Sequence, residues 1–198
     1  MPLRNGRRAD LMGVDAKGRI VIVEIKVSRA DLVGDGKWPD YLDFCDRFYW
    51  GLAAHLDRAC METEAFRPER CGLIVADGFG GEMLREPLRS PLAPPRRKAV
   101  TLAFAQLVSA RLMAINHLAM MKAVLGDLDR VKRIVKMIGY VSCAPGFTEP
   151  HLVLNGVSDL FVALWGEENG KHARAALTQH ELGLNAPIEA DITVELHG

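Results

Sequence analysis

Short apolar runs fill the first part of the chain, and long helical patterns dominate its middle. Residues 8–14 form a first strand candidate, and residues 19–27 form a β-branched second one interrupted by a carboxylate and an ammonium. The polar stretch Asp15-Ala16-Lys17-Gly18 between them predicts a turn, and so a hairpin. Tyr41, Phe44, Phe48, Leu52 and His55 recur at spacings of 3 and 4, which predicts one helix over residues 40–56. A buried strand at 73–76, a turn at 77–81 and a brief return strand at 83–85 follow. A Pro-rich basic connection at 90–98 leads into a helix over 98–125 that ends at Gly126, a C-cap signal. The remainder predicts a strand at 131–141, a loop at 144–147 and a helix at 154–166 with Asn155 or Ser158 near its start. Strands at 173–182 and 188–196 close the chain, the last alternating as a half-buried strand does. The fold class is α/β overall, in the sense of α+β: a small mixed sheet with helices, then a helix–strand–helix–strand–strand unit.

Composition changes across the long helix, although no Gly-, Pro- or Ser-rich linker marks a boundary. Residues 1–113 carry 18 Lys/Arg against 15 Asp/Glu, and residues 114–198 carry 7 against 10. The first part is rich in Arg, with 14 Arg to 4 Lys. Arg forks suit phosphate, so a polyanion partner is one reading; an Arg-favouring codon bias is the other. Cys45, Cys60, Cys71 and Cys143 match no zinc spacing, which leaves free thiols in a reducing compartment. There is no signal-like start and no uninterrupted apolar run of about 18 residues, so the expectation is a cytoplasmic protein with no membrane partner.

One constellation carries chemistry by spacing. Glu24 and Lys26 lie two apart on a strand and so share a face, while Ile25 points the other way. Pairing across the 15–18 turn brings Asp10 to that face. Two carboxylates, Asp10 and Glu24, form a candidate Mg²⁺ site, and Lys26 is placed to position water or stabilise developing charge. An ordinary surface ion pair also explains the Glu-x-Lys spacing.

Around this triplet, Asn5-Gly6-Arg7-Arg8-Ala9-Asp10, Val23 to Ser28, Lys37 to Tyr49, Gly72 to Asp77 and Pro95 to Ala99 resemble the MmcB family of bacterial DNA-repair proteins, in the PD-(D/E)XK nuclease superfamily. The resemblance spans residues 2 to about 112. It implies a nuclease-like mixed sheet with Asp10, Glu24 and Lys26 as the catalytic triplet. Arg7, Arg8, Lys37, Arg96 and Arg97 are candidate phosphate contacts by charge and position. Against the family pattern, the N-terminal helix and first strand are expected to be missing.

In the second part, Arg174 in one strand and Glu189 in the next are by themselves most simply a solvated pair. The histidines are scattered without ligand spacing, and the Met cluster reads as core filling. Residues 110–119, 126–136, Ala144 to Thr148, Val153 to Gly166 and Gly170 to Ala176 resemble the RidA/YjgF family, also called endoribonuclease L-PSP, of chorismate mutase-like fold. That resemblance covers about 109–196, the second half of such a domain. It implies an enamine/imine deaminase needing no cofactor, in which Arg174 clasps the substrate carboxylate and Glu189 handles water. It also implies a homotrimer with sites between subunits. Ala176 stands where some members have Cys.

The expected domains are therefore 1–112, MmcB-like, and 113–198, a partial RidA-like unit. A join within the Ser109-Ala110-Arg111-Leu112 run, common to both families, accounts for the absent linker. The expected function is DNA-repair-associated and nuclease-like, acting on or binding DNA with Mg²⁺. The alternatives are a deaminase of small imines or enamines, or a remnant fusion without catalysis.

Overall fold

The computed structural model describes residues 3–198. The chain forms two compact units, Met1–Thr101 and Leu102–Gly198. The division falls inside a single helix, as does the expected boundary at 112/113. The mixed α+β character expected from the sequence is present in both units.

In the first unit, β1 (Leu11–Val14), β2 (Ile20–Lys26), β3 (Arg47–Ala53), β4 (Gly72–Ala76) and β5 (Gly81–Arg85) form one sheet in that order. The three central strands are parallel and the two edge strands antiparallel. The predicted hairpin is β1–β2. Gly18 closes its turn at φ +70°, donating to the Asp15 carbonyl at 2.9 Å. The parallel step from β2 to β3 requires a crossover. It is made by the short helix α1 (Arg29–Gly34), capped by Ser28, and a 3₁₀ turn at Trp38–Phe44.

The helix predicted over 40–56 is not formed. Residues there make the 3₁₀ turn and then β3, whose Phe48, Tyr49, Trp50, Gly51 and Leu52 are all buried. A central parallel strand is covered on both faces and shows an apolar run instead of alternation. The aromatic spacing that suggested a helix is thus shared between two elements. Trp50 is packed edge-on by Trp38, Phe48 and Phe66, with ring centroids 5.0, 5.2 and 5.4 Å away. Its indole Nε1 donates to the Phe66 carbonyl at 3.3 Å. Edge-to-face packing of this kind adds to simple burial.

Asp46, at the entry to β3, is 1% exposed yet fully used. Its carboxylate accepts from Ile20 N at 2.7 Å, Leu92 N at 3.1 Å, and both terminal nitrogens of Arg97 at 2.7 and 2.5 Å. Burial alone would raise its pKa, but the Arg97 guanidinium and the two backbone donors outweigh that and hold it at about 2.

Arg97 lies in the first turns of α2 (Pro94–Leu125), which begins four residues earlier than the sequence suggested because proline is accommodated in a helix's first turn. Among the described residues, α2 is the one helix long and apolar enough to cross a membrane by length and composition. Arg111 and Lys122 interrupt its apolar run but not its helix, which is why the run count missed it. A single helix of this kind is weak grounds for a membrane span.

In the second unit, β6 (Val131–Ser142) is the centre of a three-stranded sheet. It pairs in parallel with β7 (Ala173–Gln179) and antiparallel with β8 (Ile188–Leu196). Helix α3 (Pro150–Gly170) starts earlier than predicted, with Pro150 in its first turn, and kinks at Gly166, where φ is +74°. Val153, Leu154, Val157 and Phe161 of α3 pack with Ile134, Met137 and Val141 of β6 and Ala110 and Ala114 of α2. Gly139 permits this closeness: a Cβ there would meet Leu154 Cδ1 at 2.4 Å.

Candidate functional site

Glu24 and Lys26 sit near the C-terminal end of β2, on one face as their spacing requires, and both are buried, at 6% and 3% exposure. The β1–β2 register pairs Leu11 with Val23, so Asp10 falls beside Glu24. The exposed Asp10 carboxylate accepts from Ile25 N at 2.8 Å, which fixes it over this end of the hairpin. The three residues singled out from the sequence are brought together.

Two further carboxylates join them. Lys26 Nζ lies 2.8 Å from Asp35 and 3.4 Å from both Asp31 and Glu24. Asp31 sits in α1 and Asp35 just beyond it, so the crossover delivers both. Sequence reasoning missed them, although the short Asp-Leu-Val-Gly-Asp spacing after β2 was the available signal. Burial opposes the charge on Lys26, yet Asp35, Glu24 and Asp31 together hold its pKa above the ordinary lysine value. Glu24 behaves oppositely. Burial raises its pKa, the neighbouring Asp10 charge raises it further, and Lys26 only partly offsets them. Its Oε2 is buried without a hydrogen-bond partner. Tyr41 closes the site from the 3₁₀ turn, donating to the Arg8 carbonyl at 3.1 Å. Burial and the charges of Glu24, Asp35 and Asp10 push its hydroxyl up to about 12.

Among the described residues, no group of three or more His, Cys, Asp or Glu side chains forms a metal cage. The donor set is instead Glu24, with one unsatisfied buried oxygen, and Asp10, exposed beside it. That set suits Mg²⁺, which is commonly held by one or two carboxylates together with waters and substrate phosphate. A desolvated carboxylate next to a second negative charge also favours a nearby cation.

The basic residues expected to meet phosphate are placed differently from one another. Lys37 and Arg96 are exposed. Arg96 lies 3.2 Å from Asp43 and over the Phe44 ring. Arg7 donates through Nε to Asp40 at 3.0 Å, and Arg8 is exposed. Arg97 is committed inward to Asp46 and to the Gly18 carbonyl, so its role is to hold the fold rather than to reach phosphate.

In the second unit, Arg174 pairs with Met137, whose side chain is in the core, so it shares the face of the sheet that α3 covers. Its Nη1 donates at 3.0 Å to both Asn155 Oδ1 and Ser158 Oγ of α3. Burial lowers its pKa, and the nearby Asp159 charge works against that. Glu189 pairs with Tyr140, three positions along β6, and is exposed on the opposite face. One chain therefore does not bring Arg174 and Glu189 together. His172, read from the sequence as one of several scattered histidines, lies beside Ser158, its Nε2 3.2 Å from Oγ.

The family comparison bears on the first unit. The profile of the MmcB-like DNA repair protein family matches residues 1–119. Protein TCP17 of Trypanosoma cruzi is 47% identical over 89 residues, 45% of this chain and 56% of that protein. The chain thus spans just over half of that curated relative. The SPO1766 protein of unknown function from Silicibacter pomeroyi is 37% identical with a TM-score of 0.50, over 59% of this chain and 75% of that one. Atu1372 from Agrobacterium tumefaciens, also of unknown function, is 42% identical with a TM-score of 0.47, over 48% and 61% of the two chains. With the family match over residues 1–119, more than half of its length, the chain belongs to the MmcB-like DNA repair protein family.

Proposed function

We propose that the first unit is a Mg²⁺-dependent, nuclease-like site acting on or binding DNA in repair. The observation carrying this reading is Glu24 Oε2, buried and unsatisfied, beside Asp10 and Lys26 on one end of a hairpin. Asp10 and Glu24 would hold the cation, which when bound polarises a phosphoryl oxygen and acidifies water. Lys26 donates toward the reacting oxygens, with Asp35 and Asp31 fixing its ammonium against Glu24. Lys37 and Arg96 are the exposed cations that would meet the backbone, and Arg7 and Arg8 lie at the start of the same unit. The test is Mg²⁺-dependent binding and cleavage of labelled DNA by the wild type and by Glu24→Gln and Lys26→Met. Loss of metal-dependent action in both variants supports the reading, and unchanged action overturns it.

A second reading, a RidA-type deaminase of enamines or imines, is favoured by one observation. The Arg174 guanidinium is anchored by Asn155 and Ser158 at β7, the edge strand of its sheet, where a substrate carboxylate has access. Because Glu189 occupies the opposite face, this activity needs Glu189 from another copy, as in a homotrimer. Imine hydrolysis that is sensitive to Arg174→Ala, by a species with a trimer's mass, tests it.

A further inference from the structure

Ser158, His172 and Arg174 form a directed chain of hydrogen bonds. The Gly170 carbonyl lies 2.8 Å from His172 Nδ1 and can only accept, so Nδ1 carries the proton. In the neutral ring Nε2 then presents its lone pair, and Ser158 Oγ, 3.2 Å away, donates to it. The same Oγ accepts from Arg174 Nη1 at 3.0 Å. Donation to a base raises the electron density on the oxygen, and the neighbouring cation makes the hydroxyl proton easier to lose, as nucleophilic attack requires. The imidazole is fixed twice, by the Gly170 carbonyl and by the Phe161 ring, whose centroid is 5.9 Å away. That is the nucleophile–base–orienter arrangement of acyl-transfer sites, with a main-chain carbonyl as orienter. The cluster borders the edge strand β7. Ser158 and His172 are half-buried and Arg174 is exposed, so a small molecule can approach from that side.

We propose that Ser158 and His172 are a nucleophile–base pair that hydrolyses small esters, with Arg174 as the donor to the developing oxyanion. Ser158 Oγ bonds to the ester carbonyl carbon as its proton passes to His172 Nε2. The tetrahedral oxyanion forms beside the Arg174 guanidinium. It collapses with cleavage of the bond to the leaving alcohol, which takes the proton from His172. Water, deprotonated by His172, then attacks the acyl-serine; the acid leaves and the proton returns to Ser158. This activity is independent of the nuclease reading. It shares Arg174 with the deaminase reading but needs neither Glu189 nor a trimer.

The full chain is treated with a fluorophosphonate probe, the adduct is mapped by mass spectrometry, and p-nitrophenyl acetate hydrolysis is followed in parallel. The expected result is a single adduct on Ser158 that is absent in Ser158→Ala, with labelling and hydrolysis slowed at least about 100-fold in His172→Gln. Thermal unfolding of each variant separates these losses from misfolding. If Ser158→Ala does not fold, Ser158→Cys is used instead, and its thiol should alkylate with iodoacetamide faster when His172 is intact. A wild-type chain that stays unlabelled, or a folded His172→Gln variant that labels at the parental rate, overturns the proposal. The second outcome would mean that the Ser158–His172 bond only ties α3 to β7.

Discussion

Lys26 makes its shortest ion pair with Asp35, at 2.8 Å, and stands 3.4 Å from Glu24. The lysine next to Glu24 on the strand is thus shared with the following crossover, and Glu24 keeps one buried oxygen with no partner. This imbalance is the physical basis for reading the hairpin end as a cation site.

Glu24→Gln should therefore make the metal-free fold more stable than the parent at neutral pH. The folded-state pKa of Glu24 is raised, so stability from its protonated form is present at low pH and lost as pH rises through that value. Replacing Glu24 with the neutral amide removes this loss, and the pH profile of stability should flatten on the alkaline side of the ordinary Glu range. Urea unfolding across pH 4 to about 8 checks it.

Lys26→Met should be more damaging, because Glu24 would remain buried without its cation. Removing one member of a buried pair costs about 3–5 kcal/mol. Asp35→Asn, which weakens only the best of three contacts, should cost about 1–2 kcal/mol. Equal denaturation midpoints for the two variants would contradict this ranking.

Asp46 gives a separate acid-sensitive element. Its folded-state pKa is depressed to about 2, below the ordinary aspartate range. Its contribution is present above the unfolded value and lost as pH falls from about 4 towards 2. Asp46→Asn should lower stability at neutral pH and reduce the pH dependence in that window, as acid titration of the folded fraction would show. Arg97→Ala should produce the same loss of stability. Lys37→Ala and Arg96→Ala should instead leave stability almost unchanged and reduce the salt slope of DNA binding by about one each, where each contacts one phosphate.

Gly139→Ala should destabilise the second unit by about 1–3 kcal/mol, since the new methyl meets Leu154 at 2.4 Å. Gly139→Ala with Leu154→Ala should cost less than the sum of the single changes, because truncating Leu154 makes the needed room. Additive costs in a double-mutant cycle would show that the backbone, not Leu154, limits this position.

Sequence reasoning found what local rules fix. The 15–18 turn and the β-branched run set the hairpin, and strict alternation set β8. It misjudged β3 because a strand buried on both faces leaves no period of two, while Tyr41, Phe44, Phe48 and Leu52 matched a helical period by coincidence. It brought Asp10, Glu24 and Lys26 together correctly, since strand parity and a short turn dictate their face. Asp31 and Asp35 escaped it because their roles depend on the path of the crossover. Arg97 was grouped with the exposed Arg96, although only tertiary structure shows that it is turned toward Asp46. Ser158 and His172 escaped for the same reason, lying 14 residues apart, one within the kinked helix α3 and the other just beyond its end.

The most direct test of the central claim is thermal unfolding of wild type and Glu24→Gln with and without Mg²⁺, the paired measurement isolating the Asp10–Glu24 site. With free Mg²⁺ about tenfold above its Kd, binding to the folded wild type should stabilise it by roughly 1.4 kcal/mol. That corresponds to a Tm rise of about 3–6 °C for a chain of this size, and Glu24→Gln should show none of it. A wild type that Mg²⁺ leaves unchanged, or a Glu24→Gln variant that it stabilises equally, would contradict the assignment.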